Sequence, residues 1–533
     1  MCMKKIIILI VGILCSIQLY CSCNLPNTYI SNLTSTSVTL SWNYISNASY
    51  YQVVYRVAGS GSPFIFATNP SNISPIDTVL NMTGLTPNTT YEWRIAVWCT
   101  NGTFSSWSTT ESFHTVCFGS QFVPDIDGEA INDYSGYSVS TSDDGNIVAI
   151  GAPNNDGNGL TSGHVRVFQY DGNSWNQLGQ DIDGENPGDK NGHAVSISNN
   201  GTILAVGAIG YNGSSNDEGC VRVFQYDGNS WHQIGQNIVG DEQDDQFGYS
   251  VSLNSEGSII AVGAWGNDDP LIGTDVGHVK IYENINGVWT QLGQDLQGEM
   301  VVDHSGFSVA LNSEGSIVAI GAPNNDAGGN NTQNYGHVRV YQYNSSDSSW
   351  YQMGSDIDGE SVGDQSGWSV SLNFDGNIVA VGAIGNNGIN GSAIQAGHVR
   401  VYQYNSSDSS WYQIGSDIDG EVEDDQSGYS VSLSDDGTVL AVGATDNDSG
   451  GNNTENYGHV SVYKYIVSLG WIKLGDIDGE AAGDKSGNSI SLSNDGNVVA
   501  IGAYRNDGTG HDAGHVRVFN VSSQSSSCPG CTD

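Results

Sequence analysis

The chain has 533 residues, with 58 Asp+Glu against 15 Lys+Arg and a formal net charge of -43. That balance excludes nucleic acid and an anionic membrane surface as partners, because both are held by basic patches. Only 14% of residues are charged while Gly numbers 70, and Gly, Asn, Ser and Asp punctuate short Val/Ile/Tyr runs. This is the pattern of strands and turns, not of a disordered acidic tail.

The N-terminus opens with Lys4-Lys5 and an apolar run from Ile6 to Leu14. A basic start and an apolar core of this length predict a secretory signal peptide over residues 1–23, cut near Cys21-Ser22-Cys23. The expected location is therefore secreted or cell-surface, where disulfides are permitted. No later apolar run is long enough for a transmembrane helix in the mature chain.

Residues 24–117 read as alternating strands, among them Val38–Trp42 and Tyr51–Arg56, followed by Leu85-Thr86-Pro87-Asn88-Thr89-Thr90-Tyr91. The early Trp42 and the Leu-x-Pro-x-x-x-Tyr corner resemble a fibronectin type III domain. The resemblance implies a β-sandwich in which Tyr91 is the buried corner tyrosine. In that fold the first strand starts and the sixth ends at one pole, which makes Cys23 and Cys99 the disulfide candidates. Cys117 falls at the other pole. On this reading the domain is a spacer.

From residue 118 the sequence repeats. Gly-Ala, preceded each time by an apolar run, stands at Gly151, Gly207, Gly263, Gly321, Gly382, Gly443 and Gly502, at spacings of 56, 56, 58, 61, 61 and 59. Such a period means similar supersecondary units, each burying a face against the next. Within one repeat, β-rich runs alternate with the turns Asp143-Asp144-Gly145-Asn146 and Asp171-Gly172-Asn173. Four antiparallel strands, seven times, predict a seven-bladed β-propeller over residues 118–522 and an all-β chain. The last repeat stops at Phe519 without a fourth strand, and an orphan of that strand, Ser120–Val123, precedes the first repeat. The N-terminal piece is expected to complete blade seven and hide the open edges. Phe247-Gly248, with Gly151-Ala152-Pro153 and Gly321-Ala322-Pro323, resembles the Phe-Gly/Gly-Ala-Pro (FG-GAP) repeats of integrin α-subunit propellers.

Residues shared by all copies point to structure, so function is sought where copies differ. The motif Asp-Ile-Asp-Gly-Glu recurs, with a further Asp after it. Three copies are Asp125, Asp127, Glu129 and Asp133; Asp181, Asp183, Glu185 and Asp189; and Asp356, Asp358, Glu360 and Asp364. Oxygen clusters on Gly-containing loops suit a weak Ca²⁺ site. The same pattern fits a turn whose carboxylates accept backbone N–H groups or pair with arginine. A column of cations (Arg166, Arg222, Lys280, Arg339, Arg400, Arg517), broken by Ser461, predicts a repeated structural ion pair. The neighbouring histidines, with Cys220 substituting once, are spread around a ring and cannot converge on one metal.

A second column follows the Gly of each first strand: Tyr137, His193, Tyr249, Phe307, Trp368, Tyr429 and Asn488. Matching positions in integrin α subunits ring the channel mouth and cage a basic side chain, so the resemblance implies a ligand-binding ring. Aromatic faces can hold a cation or stack on a sugar; the alternative is packing between blades. No nucleophile elbow, P-loop, HExxH or zinc-ligand spacing is found in the sequence. The expected function is binding or adhesion to an extracellular protein or carbohydrate, without catalysis. The alternative is an extracellular hydrolase built on the propeller. Residues 523–533, with Cys528 and Cys531, read as the opening of a Cys-rich repeat.

Overall fold

The computed structural model describes residues 25–521 apart from 32–37, 60–61, 68–72, 83–84, 86–88, 101, 115–119, 214–215, 327–332, 389–393 and 449–454. The expected signal peptide, Cys23, Cys117 and the tail lie outside the described residues. No helix among the described residues is long and apolar enough to cross a membrane. The chain is all-β and divides into two compact units, the second spanning Gly119–Ser522.

The first unit is a sandwich of β1 (Thr28–Ser31), β2 (Val38–Trp42), β3 (Ala48–Val57), β4 (Ile65–Phe66), β5 (Val79–Met82), β6 (Thr90–Cys99) and β7 (Glu111–His114). One sheet runs β1-β2-β5 and the other β4-β3-β6-β7. Alternation decides the faces: Tyr91, Trp93, Ile95 and Val97 of β6 point into a core shared with Val38, Leu40 and Trp42. Cys99 is disulfide-bonded.

The second unit is seven antiparallel sheets of the propeller type. Blade one is Ser138–Thr141, Ile147–Ala152, His164–Tyr170 and Trp175–Gln177, hydrogen-bonded in that order. Blade seven takes Ser489–Leu492, Val498–Ala503 and His515–Asn520 from the C-terminus and β8 (Ser120–Asp127) from the N-terminus, with His515 opposite Asp127 and Phe519 opposite Gln121. Between blades, β-branched side chains interdigitate; Val221 and Val223 of blade two, for instance, pack with Ile260 and Val262 of blade three.

The recurring glycines have a steric cause. A Cβ on Gly382 would be driven into the backbone carbonyl of Gly428 on the next blade, and the same clash recurs at the other six Gly-Ala sites. Gly428 itself has φ 90, a conformation that L side chains rarely adopt. Glycine therefore faces glycine at each seam, and at six of the seven an adjacent serine bridges the gap, Ala194 standing there in blade two. Ser369 Oγ donates to Gly428 O (2.8 Å), and Ser489 Oγ closes the circle onto Gly136 O (2.8 Å).

Two further belts run around the ring. At the first hairpin turn, Asp143 N donates to Asn199 O, and the chain of bonds continues through Ser255, Ser313, Phe374, Asp435 and Asn494 back to Asp143 O, each at 2.8–3.1 Å. On the outer strands, indole N–H groups donate to the preceding blade, as from Trp231 to Leu178 O (2.8 Å) and Trp411 to Met353 O (2.7 Å). Trp175, beside the closing strand, has no such bond among the described residues; Phe122 of β8 lies 6.4 Å from its ring and 4.8 Å from Tyr170.

Deleting residues 118–123 should uncover the edge of His515–Asn520 and remove Phe122. The variant should aggregate on heating and melt earlier, as followed by light scattering and calorimetry. Unchanged solubility and melting temperature would show that β8 does not close the ring.

Candidate functional site

Each residue of the aromatic column ends a four-residue turn whose third position is the positive-φ glycine. Tyr137 N donates to Tyr134 O (3.1 Å) across Gly136, and Trp368 N to Gln365 O (3.2 Å) across Gly367. Glycine at this position is what a type II turn needs. The turn brings the next side chain against its counterparts in the neighbouring blades.

The rings form an unbroken arc. Centroid distances are 5.0 Å for Tyr137–His193, 4.7 Å for His193–Tyr249, 5.0 Å for Tyr249–Phe307, 4.6 Å for Phe307–Trp368 and 5.6 Å for Trp368–Tyr429. Asn488 closes the circle, its amide donating to Tyr137 O (2.9 Å). All seven are half-buried, so each keeps part of its surface accessible. A second tier stands edge-on behind the first: Tyr504 against Tyr137 (5.6 Å) and Trp265 against Tyr249 (5.9 Å). Both occupy the position directly after Gly-Ala, a column whose variation was the available signal for them.

Burial lowers His193 to about 4, so its imidazole is neutral at physiological pH; Tyr137 Oη lies 3.4 Å from its Nε2. Burial also pushes the Tyr137, Tyr249 and Tyr429 hydroxyls up. The arc is therefore uncharged. It offers π faces and hydroxyls, suited to a cation or to the C–H face of a sugar.

The acidic loops are placed differently. Asp125 meets Glu480 and His515 in one seam, while Glu129 of the same loop meets His164 and Asp181 in the next. Asp133 caps its own turn, accepting from Ala130 N and Asn155 Nδ2 at 3.0 Å; Asp189 and Asp364 accept the equivalent backbone N–H groups. Asp181 and Asp356 accept from Gln177 and Gln352 (2.6 Å each). The main-chain carbonyls of Asp127, Asp183 and Asp358 accept from Arg166, Arg222 and Arg400 at 2.7–2.8 Å. The carboxylates of one loop thus do not converge on one point.

The seams do gather His and carboxylate ligand atoms within 4.8 Å of one another, and in the clusters at His164, His278, His337, His398 and His515 a side-chain cation lies against one of the carboxylates. Arg166 lies 3.3 Å from Glu129, Arg222 3.8 Å from Glu185, Arg400 3.4 Å from Glu360 and Arg517 3.6 Å from Glu480. Lys280 bonds Asp241 and lies 3.7 Å from Asp295. In blade six, where Ser461 breaks the column, Lys473 reaches in from the outer strand and contacts Glu421 and Asp476 at 2.6 Å each. Sequence reasoning missed this replacement, because Lys473 lies outside the repeated position. Cys220 is a free buried thiol, pushed up to about 12 by burial.

Residues 26–113 match the fibronectin type III domain family. A solved β-sandwich from a computer-based redesign study is 25% identical over 17% of this chain and 92% of its own, with a TM-score of 0.15. The periplasmic gluconolactonase of Pseudomonas aeruginosa is 12% identical over 81% of this chain and 98% of its own, with a TM-score of 0.42. No curated protein matches the chain.

Lys473→Met should leave Glu421 and Asp476 without their cation and cost about 0.5–1 kcal/mol, the scale of ion pairs that keep contact with solvent. Adding Ser461→Arg should recover part of the loss. A neutral single variant, or a double variant no better than Lys473→Met, would contradict the resident-cation account.

Burial, and then the neighbouring cation, lowers His164, His278, His337 and His398 to about 4 and His515 to about 3. Well above 6.5 both folded and unfolded states hold neutral imidazole, and the histidines take nothing from stability. As pH falls from there towards 4, the unfolded chain takes up protons that the folded seams refuse. Each histidine then withdraws on the order of 3 kcal/mol. Unfolding by denaturant should weaken steeply over that window, and His278→Gln should flatten the slope. A pH-independent midpoint between 7 and 4 would contradict it.

Proposed function

We propose that this chain is an exported binding protein whose propeller grips its ligand at the aromatic channel mouth. The observation carrying this reading is the unbroken arc from Tyr137 to Tyr429, closed by Asn488. Seven positions far apart in sequence there make one site, whereas the seam clusters are repeated blade by blade. The six ring-bearing residues carry no carboxylate and no aliphatic nucleophile, which favours binding over hydrolysis. The glycine-on-glycine seams support an FG-GAP, integrin α-like lineage for the propeller. The resident cations support seams that take no calcium. The ligand is a protein or glycan group with a cationic or C–H face. An acidic propeller favours the cationic one by long-range attraction.

Trp368 contacts both Phe307 and Tyr429 and is the largest of the set. Trp368→Ala should weaken binding by more than about 1 kcal/mol without unfolding the propeller. The check is a glycan and protein array probed with both forms, with calcium and with chelator. Equal binding by the variant would move the site elsewhere, and loss of binding in chelator alone would restore a role for calcium.

A further inference from the structure

The outward face of the sandwich has a composition that a spacer does not need. On β6 the inward residues are Tyr91, Trp93, Ile95 and Val97, so Glu92, Arg94, Ala96 and Trp98 face away from the core. Their partners across β3 are Arg56, Val54, Gln52 and Tyr50. A solvated sheet face is expected to be polar. One end obeys: Arg56 pairs with Glu92 at 2.7 Å. The other end is a row of four rings. Tyr50 stacks with Trp98 at 5.6 Å, Trp98 meets Phe104 at 5.1 Å and Phe104 meets Trp107 at 5.8 Å. The row crosses the sheet because the segment after Gly102 folds back along β6, with Ser105 N on Val97 O and Ser108 N on Ile95 O at 2.9 Å. Phe104 is 38% exposed, and the other three rings are partly accessible.

Charge sets this face apart from the rest of the chain. Residues 24–117 hold two arginines (Arg56, Arg94) and three acids (Asp77, Glu92, Glu111), a net of -1. Residues 118–522 hold 11 Lys+Arg and 54 Asp+Glu, again by counting, so the propeller alone carries -43. Arg94 precedes Trp98 by four residues on the same face of β6: its Nε donates to Thr110 Oγ1 (2.7 Å), and its guanidinium lies 4.5 Å from the Phe64 ring, which the Arg56 guanidinium also approaches at 4.4 Å. No carboxylate partner of Arg94 occurs among the described residues.

We infer that this face is a second binding site, for an extended glycan chain. Adjacent rings offer consecutive pyranose units an apolar surface for their C–H faces. Arg94 offers N–H donors to a sugar hydroxyl or, in a uronate, to a carboxylate. The near-neutral charge lets either kind of chain approach, which the propeller's field opposes for the acidic one. This inference concerns the first unit and the proposed ligand site the second, and the two rest on different observations.

The test uses the whole mature chain in affinity electrophoresis through gels containing a neutral β-linked glucan, a xylan or polygalacturonate. Retardation by at least one polymer is expected, lost by at least fivefold in apparent affinity in Trp98→Ala and in Phe104→Ala, and kept in Trp368→Ala. Should Trp98→Ala unfold the sandwich by near-ultraviolet dichroism, the exposed Phe104 and a Tyr50→Ala variant carry the test. Arg94→Gln should weaken retardation by polygalacturonate more than by the neutral polymers if uronate is the preferred source. No retardation by any polymer, capture of a protein alone, or retardation unchanged in Phe104→Ala and Tyr50→Ala would overturn the inference. Retardation lost only in Trp368→Ala would also overturn it, while favouring the channel mouth.

Discussion

The propeller depends on one contact: backbone against backbone at the seam between blades, where glycine meets glycine. The carbonyl of each first-strand glycine sits where a Cβ of the neighbouring Gly-Ala would be. Any side chain there would wedge the blades apart. The approach brings the innermost strands close enough for serine hydroxyls to reach the next blade's carbonyls, and for a closed belt of main-chain bonds to form at the opposite turns. The same positive-φ glycine sets the next residue against its counterparts in the neighbouring blades. Structure and candidate site therefore share one cause.

Charge is accommodated by the same seams. Acidic residues on the loop leaving one blade meet a buried cation on the third strand of the next, while the final Asp of the loop is spent on its own turn. The buried guanidinium is held by a carboxylate, a main-chain carbonyl and an aromatic ring two residues on, as in Arg400 over Tyr402 at 5.5 Å, while its Nε has no partner among the described residues. Burying such groups costs desolvation, which the paired carboxylate and carbonyl offset in part. Blade six shows that the requirement is for a cation in the pocket and not for arginine at a given position: Lys473 supplies it from a different strand. Desolvation works against the Lys473 charge, and the Tyr463, Asp476 and Glu421 contacts outweigh it, raising its proton affinity.

Much of this was legible beforehand. Gly-Ala at a near-constant period, the missing last strand and its orphan near Ser120 required only counting, and a column after each first-strand glycine needed only alignment of the copies. What pairs across blades was not legible. The acidic loops show four carboxylates each, but Asp125 and Glu129 enter different seams, and spacing alone does not reveal it. Main-chain belts leave no mark in side-chain identity. The outer tryptophans recur in the sequence, yet their bonding to the preceding blade emerges only once the blades are side by side. In the sandwich, alternation along β6 was readable, whereas the meeting of Trp98, Phe104 and Trp107 required the fold-back after Gly102.

The central claim is that seven distant residues close into one uncharged arc, and His193 reports on it without any ligand. Its ring lies between Tyr137 and Tyr249 at 5.0 and 4.7 Å, and burial there lowers it to about 4. The decisive measurement is the titration of the His193 imidazole by nuclear magnetic resonance in the folded protein, with His193→Gln to assign the signal. A value near 4 is the predicted result. A value near the ordinary 6.5, with free exchange to solvent, would mean that the arc does not close and that the channel mouth is not the site.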